Sequence, residues 1–160
     1  MWFTDYIYIT RSTLIFYEKN IWYERLLDTD CQDTSLIDII DPIKNDYKKI
    51  LLDTYSSRHG KADLDCVNLT CSSSCANLKS PNSDLQQNTK SNYVTGLFYF
   101  NVPSDRSGGI TFYKNRDEKF FTYYPDNYDF LIFPNFLLYK HEQVSSEEYR
   151  IIININCEGA

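Results

Sequence analysis

Glycine and histidine are both scarce in this sequence, and several kinds of site are absent with them. Five glycines stand against 14 tyrosines and ten phenylalanines, a balance that favours sheet over helix. No glycine-rich phosphate loop and no nucleophile elbow are present. The two histidines are His59 and His141, and neither forms a recognisable catalytic pair with a cysteine.

Clusters of basic residues and long apolar runs are also missing. The net charge is −6, and the Lys and Arg residues are dispersed, whereas nucleic-acid binding requires them to be clustered. No segment reaches the roughly 18 consecutive apolar residues of a membrane-spanning helix. The N-terminal "MWFTDYIYIT" lacks the basic, apolar and small-residue pattern of a signal peptide. We therefore expect a soluble chain with no nucleic-acid partner and no membrane contact.

The five cysteines are an odd number and accompany no secretory signal. Such usage is typical of a reducing compartment, in which thiols stay unpaired. We therefore expect a cytoplasmic protein with five free thiols.

The distribution of apolar residues divides the single predicted domain, 1–160, into three segments. Within residues 1–55, the stretch Asp5–Glu18 predicts a strand or hairpin, and one helix follows it as support. Residues 56–91 are dominated by Ser, Asn, Asp, Lys and Gln, and predict a polar loop or insertion. Residues 92–157 alternate short apolar runs with turns. The helix of residues 1–55 is predicted from apolar residues that recur at helical spacing: Leu36, Ile37, Ile40, Ile43, Tyr47, Ile50 and Leu51.

The predicted strands of residues 92–157 are short and closely spaced. "YVTGLFYFNV", "ITFYKN", "KFFTYY", "FLIFPNFLLY" and "RIIININC" are separated by turns rich in Pro, Gly, Asp and Asn. Strands at this spacing predict a mainly antiparallel sandwich or jelly roll.

Four of these stretches, in their order, resemble the 2-oxoglutarate and Fe(II)-dependent oxygenases, in particular the prolyl-hydroxylase-like and phage-encoded branch. They are "TGLFYFNVP", "SGGITFYKN", "YPDNYDFLIFPNFLLYKHEQV" and "EEYRIIININ", and they cover roughly 70 residues. The resemblance implies a double-stranded β-helix, the jelly roll of that family, with Fe(II) and 2-oxoglutarate as cofactors. Two histidines and a carboxylate hold iron in such enzymes.

The resemblance assigns roles to four residues. His141 takes the place of the second histidine ligand, and Asp84 could supply the carboxylate. Arg150 takes the place of the arginine that binds the far carboxylate of 2-oxoglutarate, and Tyr99 that of a tyrosine beside it. Three of these residues also have a plainer interpretation. His141 would be a solvent-facing loop residue, Arg150 an edge arginine paired with a neighbouring glutamate, and Tyr99 a core aromatic.

The sequence departs from the family where the first histidine should stand. The matching stretch reads "SDLQQNTKSNYVTG", with Gln87, Asn88 and Thr89 at the expected positions, and it contains no histidine. His59 lies far upstream and does not match the family spacing. Amide and hydroxyl side chains bind Fe(II) poorly compared with imidazole and carboxylate.

Two functional hypotheses follow. The first is a degenerate oxygenase-like protein without a catalytic residue, which acts as a binding or structural component. Its partner would be another protein or a second copy, and the Asn-, Lys-, Ile- and Tyr-rich composition, together with the phage branch, suggests assembly into a phage particle. The alternative is an active 2-oxoglutarate-dependent dioxygenase with an atypical iron ligand set that includes His141 and Asp84.

Overall fold

The computed structural model describes residues 1–12, 14, 19–28, 37–59, 66–81, 84–86 and 93–159. The helices are α1 (Lys19–Asp28), α2 (Ile37–Ile50), which continues into a π-helical turn (Leu51–Tyr55), and α3 (Ser56–His59). The strands are β1 (Tyr8–Arg11), β2 (Cys66–Ala76), β3 (Tyr93–Asn101), β4 (Ile110–Asn115), β5 (Glu118–Tyr123), β6 (Asp129–Pro134), β7 (Leu138–His141) and β8 (Arg150–Gly159).

The strands form two antiparallel sheets. The large sheet has five strands in the order β1-β6-β3-β8-β2, and the small sheet has three in the order β5-β4-β7. Beyond β7, an isolated antiparallel bridge between Gln86 and Tyr139 extends the small sheet. This crossing order of strands is that of a double-stranded β-helix, and the predicted jelly roll is confirmed.

Apolar side chains of the two sheets fill the space between them. In β3 and β8, alternate residues face this space, because successive side chains of a strand point to opposite faces. Tyr99 and Ile152, which are partners in the register, both belong to this layer. The buried members of the layer are Ile7, Ile9, Leu97, Tyr99, Ile110, Phe112, Leu131, Phe133, Tyr139 and Ile152.

The outer face of the large sheet is also apolar, and the helices cover it. Ile43, Tyr47 and Leu51 recur every four residues and are all fully buried, as their helical spacing predicts. They pack on the opposite side chains of the same strands, among them Phe98 and Ile153. The alternation of β8, with Ile152 on one face and its isoleucine neighbours on the other, therefore serves two separate cores.

Two features of the sequence prediction are wrong. The single predicted helix is accompanied by α1, which lies where no helix is predicted. The segment 56–91, predicted as a polar loop or insertion, contains β2, which pairs with β8 along its length. Its polar composition has a physical reason: β2 is the last strand of the sheet, and Thr70, Ser72 and Ser74 are exposed to solvent.

The prediction of five unpaired cysteines is also wrong. Cys75 and Cys157 are both disulfide-bonded, and Cys71 is free. Cys75 pairs with Ile151 in the register, and Cys157 with Leu69, so the two lie near opposite ends of the β2–β8 ladder. A bond between them is excluded at that separation.

No helix in the described residues is long and apolar enough to cross a membrane.

Gly96 allows the helical layer to approach the large sheet. A Cβ at this position would lie 2.4 Å from the ring of Tyr47, which is fully buried and donates its hydroxyl proton to the Val94 carbonyl at 2.9 Å. We expect Gly96→Ala to lower the free energy of unfolding by about 1–3 kcal/mol through this overlap, measured by urea denaturation.

The double variant Gly96→Ala/Tyr47→Leu separates this overlap from a change in sheet propensity. If the overlap is the cause, the double variant costs less than the sum of the two single changes. Additive costs would contradict the explanation.

Candidate functional site

Arg150, the first residue of β8, is buried in the interior and not exposed at an edge. It is 6% exposed, and its Nη1 donates to the carbonyl oxygens of Gly108 and Glu142 at 3.1 and 3.0 Å. Within the described residues, its Nε has no acceptor and its guanidinium forms no ion pair with a carboxylate. The plainer interpretation would pair Arg150 with Glu147 or Glu148. Neither forms an ion pair with it, and Glu148 instead accepts from the amide and hydroxyl of Ser104.

A glycine makes room for this guanidinium. Gly108 has φ +81°, in the region that side chains rarely adopt. A Cβ there would lie 3.1 Å from Arg150 Nη1 and 2.7 Å from the side chain of Val144. Both the backbone angle and the space at position 108 therefore require glycine.

Tyr99 lies on the same inner face and close to Arg150. It is fully buried, and its hydroxyl has no hydrogen-bond partner among the described residues. Burial raises the pKa of Tyr99, while the positive charge of Arg150 acts in the opposite direction. The hydroxyl stays protonated at neutral pH and can donate a hydrogen bond.

His141 ends β7, opposite Ile110 on β4. Its ring contacts the ring of Tyr139 edge-on, with the centroids 5.6 Å apart. Burial, followed by the charge of Arg150, lowers the pKa of His141 to about 3. The imidazole is therefore neutral at physiological pH, which is the form that binds metals.

Asp84 lies two residues before a backbone bridge to β7. Gln86 and Tyr139 exchange two backbone hydrogen bonds, of 2.8 and 3.0 Å, in an antiparallel bridge. Continued for two residues, that register sets position 84 across from position 141. Asp84 is exposed, and the hydrogen bonds of the bridge do not continue to it within the described residues.

The side chains of the remaining candidates for the first iron ligand lie outside the described part of the chain. Gln87, Asn88 and Thr89 lie outside the described residues, as does the side chain of His59. Where the chain is described, no three His, Cys, Asp or Glu side chains come together as a metal-binding group.

One polar residue of this face had no role in the sequence prediction. Asn154 is two positions beyond Ile152 and therefore shares the face of Arg150, and its Oδ1 is buried without a partner among the described residues. Strand alternation alone places it there, but alternation does not reveal that its oxygen is shielded from solvent.

Donor groups dominate the Arg150 end of this face. The Arg150 Nε and the Tyr99 hydroxyl are buried donors that find no acceptor in the described residues. Buried polar groups nearly always have partners, so two such donors near one another define a place for an acceptor-rich group. A carboxylate offers a guanidinium the strongest complement.

No protein-family model matches the sequence, and no curated protein matches it. Solved structures do match. A prolyl-4-hydroxylase from Pseudomonas putida has a TM-score of 0.64 and 8% identity over 96% of this chain and 88% of its own. Prolyl 4-hydroxylase from Phytophthora capsici has a TM-score of 0.59 and 13% identity over 89% of this chain.

A third match was crystallised with two ligands. HygX from Streptomyces hygroscopicus, with nickel and 2-oxoglutarate bound, has a TM-score of 0.55 and 13% identity over 96% of this chain and 82% of its own. This chain shares the fold of these three proteins. It spans about half the length (54%) of the Phytophthora protein. At these identities the likeness establishes the fold alone.

The low pKa of His141 makes stability depend on pH. The unfolded chain takes up this proton near pH 6.5, and the folded chain only near pH 3. Between these values the unfolded state binds more protons, so the contribution of His141 is present above pH 6.5 and is lost as the pH falls towards 3. We expect His141→Gln to flatten this region of the curve by up to about 1.4 kcal/mol per pH unit, measured by urea unfolding.

His59→Gln is the control, because it removes the other histidine of the chain and leaves His141 in place. Proton NMR of that variant then reports His141 alone. A folded-state titration of His141 near pH 6.5 would contradict the prediction.

Proposed function

We propose that this chain is a degenerate 2-oxoglutarate oxygenase-like protein, which keeps the carboxylate-binding half of the site, has lost the catalytic iron half, and acts by binding. The observation that carries the proposal is the buried guanidinium of Arg150, which two backbone carbonyls orient without neutralising its charge. A cation in the interior is costly unless it is paired. A ligand carboxylate supplies that missing charge.

The described residues fit the far carboxylate of 2-oxoglutarate. Arg150 Nε and the Tyr99 hydroxyl are donors on one face of the large sheet, and neither has a partner among the described residues. The apolar neighbours Leu97 and Ile152 exclude water and strengthen the attraction between the charges. The sequence resemblance to the 2-oxoglutarate oxygenases assigns this carboxylate to the same two residues, Arg150 and Tyr99.

The described residues do not fit the iron. His141 and Asp84 provide one imidazole and one carboxylate, and no third ligand joins them in the described residues. The positions expected for the first histidine, Gln87, Asn88 and Thr89, offer only amide and hydroxyl groups. These bind Fe(II) weakly, so the proposed function has no oxidative step.

Binding of 2-oxoglutarate tests the carboxylate pocket. We expect calorimetry to detect binding of 2-oxoglutarate to the wild-type chain. The same measurement should detect no binding of 2-oxobutyrate, which lacks the far carboxylate. Arg150→Lys removes the planar fork and should weaken binding about tenfold or more, and Tyr99→Phe by about two- to tenfold.

Arg106→Lys is the matched control, because Arg106 is an exposed arginine on the surface. Its affinity for 2-oxoglutarate should equal that of the wild type. Absence of binding to a folded wild-type chain, or equal binding of 2-oxobutyrate, would refute the carboxylate pocket.

A second candidate function is an active 2-oxoglutarate-dependent dioxygenase with an atypical ligand set. The observation in its favour is the Gln86–Tyr139 bridge, whose register, if continued for two residues, would set position 84 across from position 141. These two residues would hold the metal, with a third group from outside the described residues.

Metal binding and turnover separate the two candidates. For the preferred function, we expect no stoichiometric Fe(II) or Mn(II) after anaerobic loading, and no succinate from 2-oxoglutarate above a no-enzyme control after oxygen is admitted. Stoichiometric metal that is lost in both His141→Ala and Asp84→Ala, with succinate that is lost in Arg150→Ala, would establish the active enzyme instead.

We also propose that the chain works with a protein partner, either a second copy or a component of a phage particle. The support is the family branch that the sequence resembles, together with exposed aromatic side chains such as Tyr124 and Phe136, which are 51% and 50% exposed. Light scattering on the purified chain tests self-association, and a strictly monomeric mass would exclude the second copy.

A further inference from the structure

A second cleft lies between the start of α1 and the loops at the end of β3. It has a volume of about 300 Å³, at the lower end of the range for small-molecule sites. Its walls come from the start of α1, the end of β3, the turn before β6 and the loop before β8. The residues that the argument uses are Lys19, Tyr23, Asn101, Asn127, Ser104 and Glu148.

One wall presents a cation that no carboxylate of the described residues pairs with. Lys19 Nζ stands 4.9 Å from the centroid of the Tyr128 ring and 5.7 Å from that of Phe100. No ion pair joins it to a described Asp or Glu. Burial lowers the pKa of Lys19, since the aromatic faces replace only part of its hydration. An anionic group of a ligand would complete its surroundings.

Neutral hydrogen-bond donors line the same cleft as Lys19. The Tyr23 hydroxyl accepts a hydrogen bond from the Tyr149 amide at 3.3 Å, which leaves its own proton to donate. The Asn127 side-chain oxygen accepts from the Val102 amide at 2.7 Å, so the amide nitrogen of Asn127 remains as a donor.

Another lining residue, Glu148, brings a negative charge to the same cleft. Glu148 accepts from Ser104 through both of its oxygens, at 2.6 and 3.2 Å, and is therefore held in one position. Glu148 and Lys19 line the same cleft but form no ion pair with each other. A simple anion in the cleft would be attracted by Lys19 and repelled by Glu148, whereas a ligand with both charges satisfies both residues.

We propose that this cleft binds a small zwitterion of the α-amino-acid class, with the ligand carboxylate at Lys19 and Tyr23 and its ammonium group at Glu148. Asn101, another lining residue, donates its amide to the Tyr149 carbonyl at 2.6 Å and so fixes part of the cleft wall. The inference is independent of the carboxylate pocket, because neither Arg150 nor Tyr99 lines this cleft.

The test is an NMR titration of the folded, ¹⁵N-labelled full chain with each of the common L-amino acids. We expect at least one of them to shift the amides of Asn20, Tyr23, Val102 and Asn127 and to saturate below about 10 mM. The amine and the carboxylic acid that correspond to that amino acid, each with one charge removed, should bind about tenfold more weakly or worse.

Two variants assign the charges. Lys19→Met keeps an unbranched apolar side chain against Tyr128 and should weaken amino-acid binding about tenfold or more, while Lys114→Met, at an exposed lysine, leaves it unchanged. Glu148→Gln keeps an acceptor for Ser104. It should reduce the ratio of the affinity for the amino acid to the affinity for the carboxylic acid that lacks the ammonium group.

Three results would overturn the proposal: no saturable shift with any amino acid, equal binding of the single-charge compounds, or unchanged affinity in a folded Lys19→Met chain. The variant Arg150→Lys separates this proposal from the proposed function, because it changes only the 2-oxoglutarate site. It should leave amino-acid binding intact while it weakens binding of 2-oxoglutarate.

Discussion

The large sheet is apolar on both of its faces, and this constraint shapes the rest of the molecule. In the central strands β3 and β8, neighbouring residues such as Ile152 and Ile153 enter different cores. Each face must be removed from water, because each buried CH₂ contributes about 0.8 kcal/mol to folding. The small sheet covers one face and the N-terminal helices cover the other, so the first third of the chain is a required layer of the fold.

Polar groups interrupt the inner layer near the start of β8. The loops around Arg150 are tied to one another, because the amide of Ser145 donates to the Ser107 hydroxyl and the Ser145 hydroxyl donates to Asp105, both at 3.0 Å. The amide and hydroxyl of Ser107 also donate to Asp105 and lower the pKa of that carboxyl. The two carbonyls that receive the guanidinium lie next to these fixed loops. The position of the Arg150 charge is therefore set before any ligand arrives.

The two halves of the candidate site differ in how firmly the fold holds them. The carboxylate half, Arg150 and Tyr99, sits on central strands of the large sheet and is almost fully buried. The metal half depends on β7 and on the short bridge at Gln86, where Asp84 is already exposed. A chain that lacked one metal ligand would therefore keep the carboxylate half and the jelly roll, which is the arrangement that the proposed function requires.

Several features followed from the sequence because they depend on neighbours along the chain. Period-two alternation identified the strands of residues 92–157, and the spacing of Ile43, Tyr47 and Leu51 identified the buried side of α2. Alternation in β8 also places Arg150 and Ile152 on one face, and Ile151, Ile153 and Ile155 on the other. Local patterns carry this information because side-chain direction within one strand or helix is set by backbone geometry.

Other features depended on contacts between distant segments, which local patterns do not encode. β2 is polar, and only its pairing with β8 makes it a strand. The weakly amphipathic α1, the disulfides of Cys75 and Cys157, and the bridge between Gln86 and Tyr139 were decided in the same way. By itself the sequence determined which residues form the two apolar faces and that Arg150 shares a face with Ile152, the register partner of Tyr99. Only the tertiary structure decided that the guanidinium is buried without a carboxylate from the described residues, because burial and charge pairing are properties of segments brought together in space.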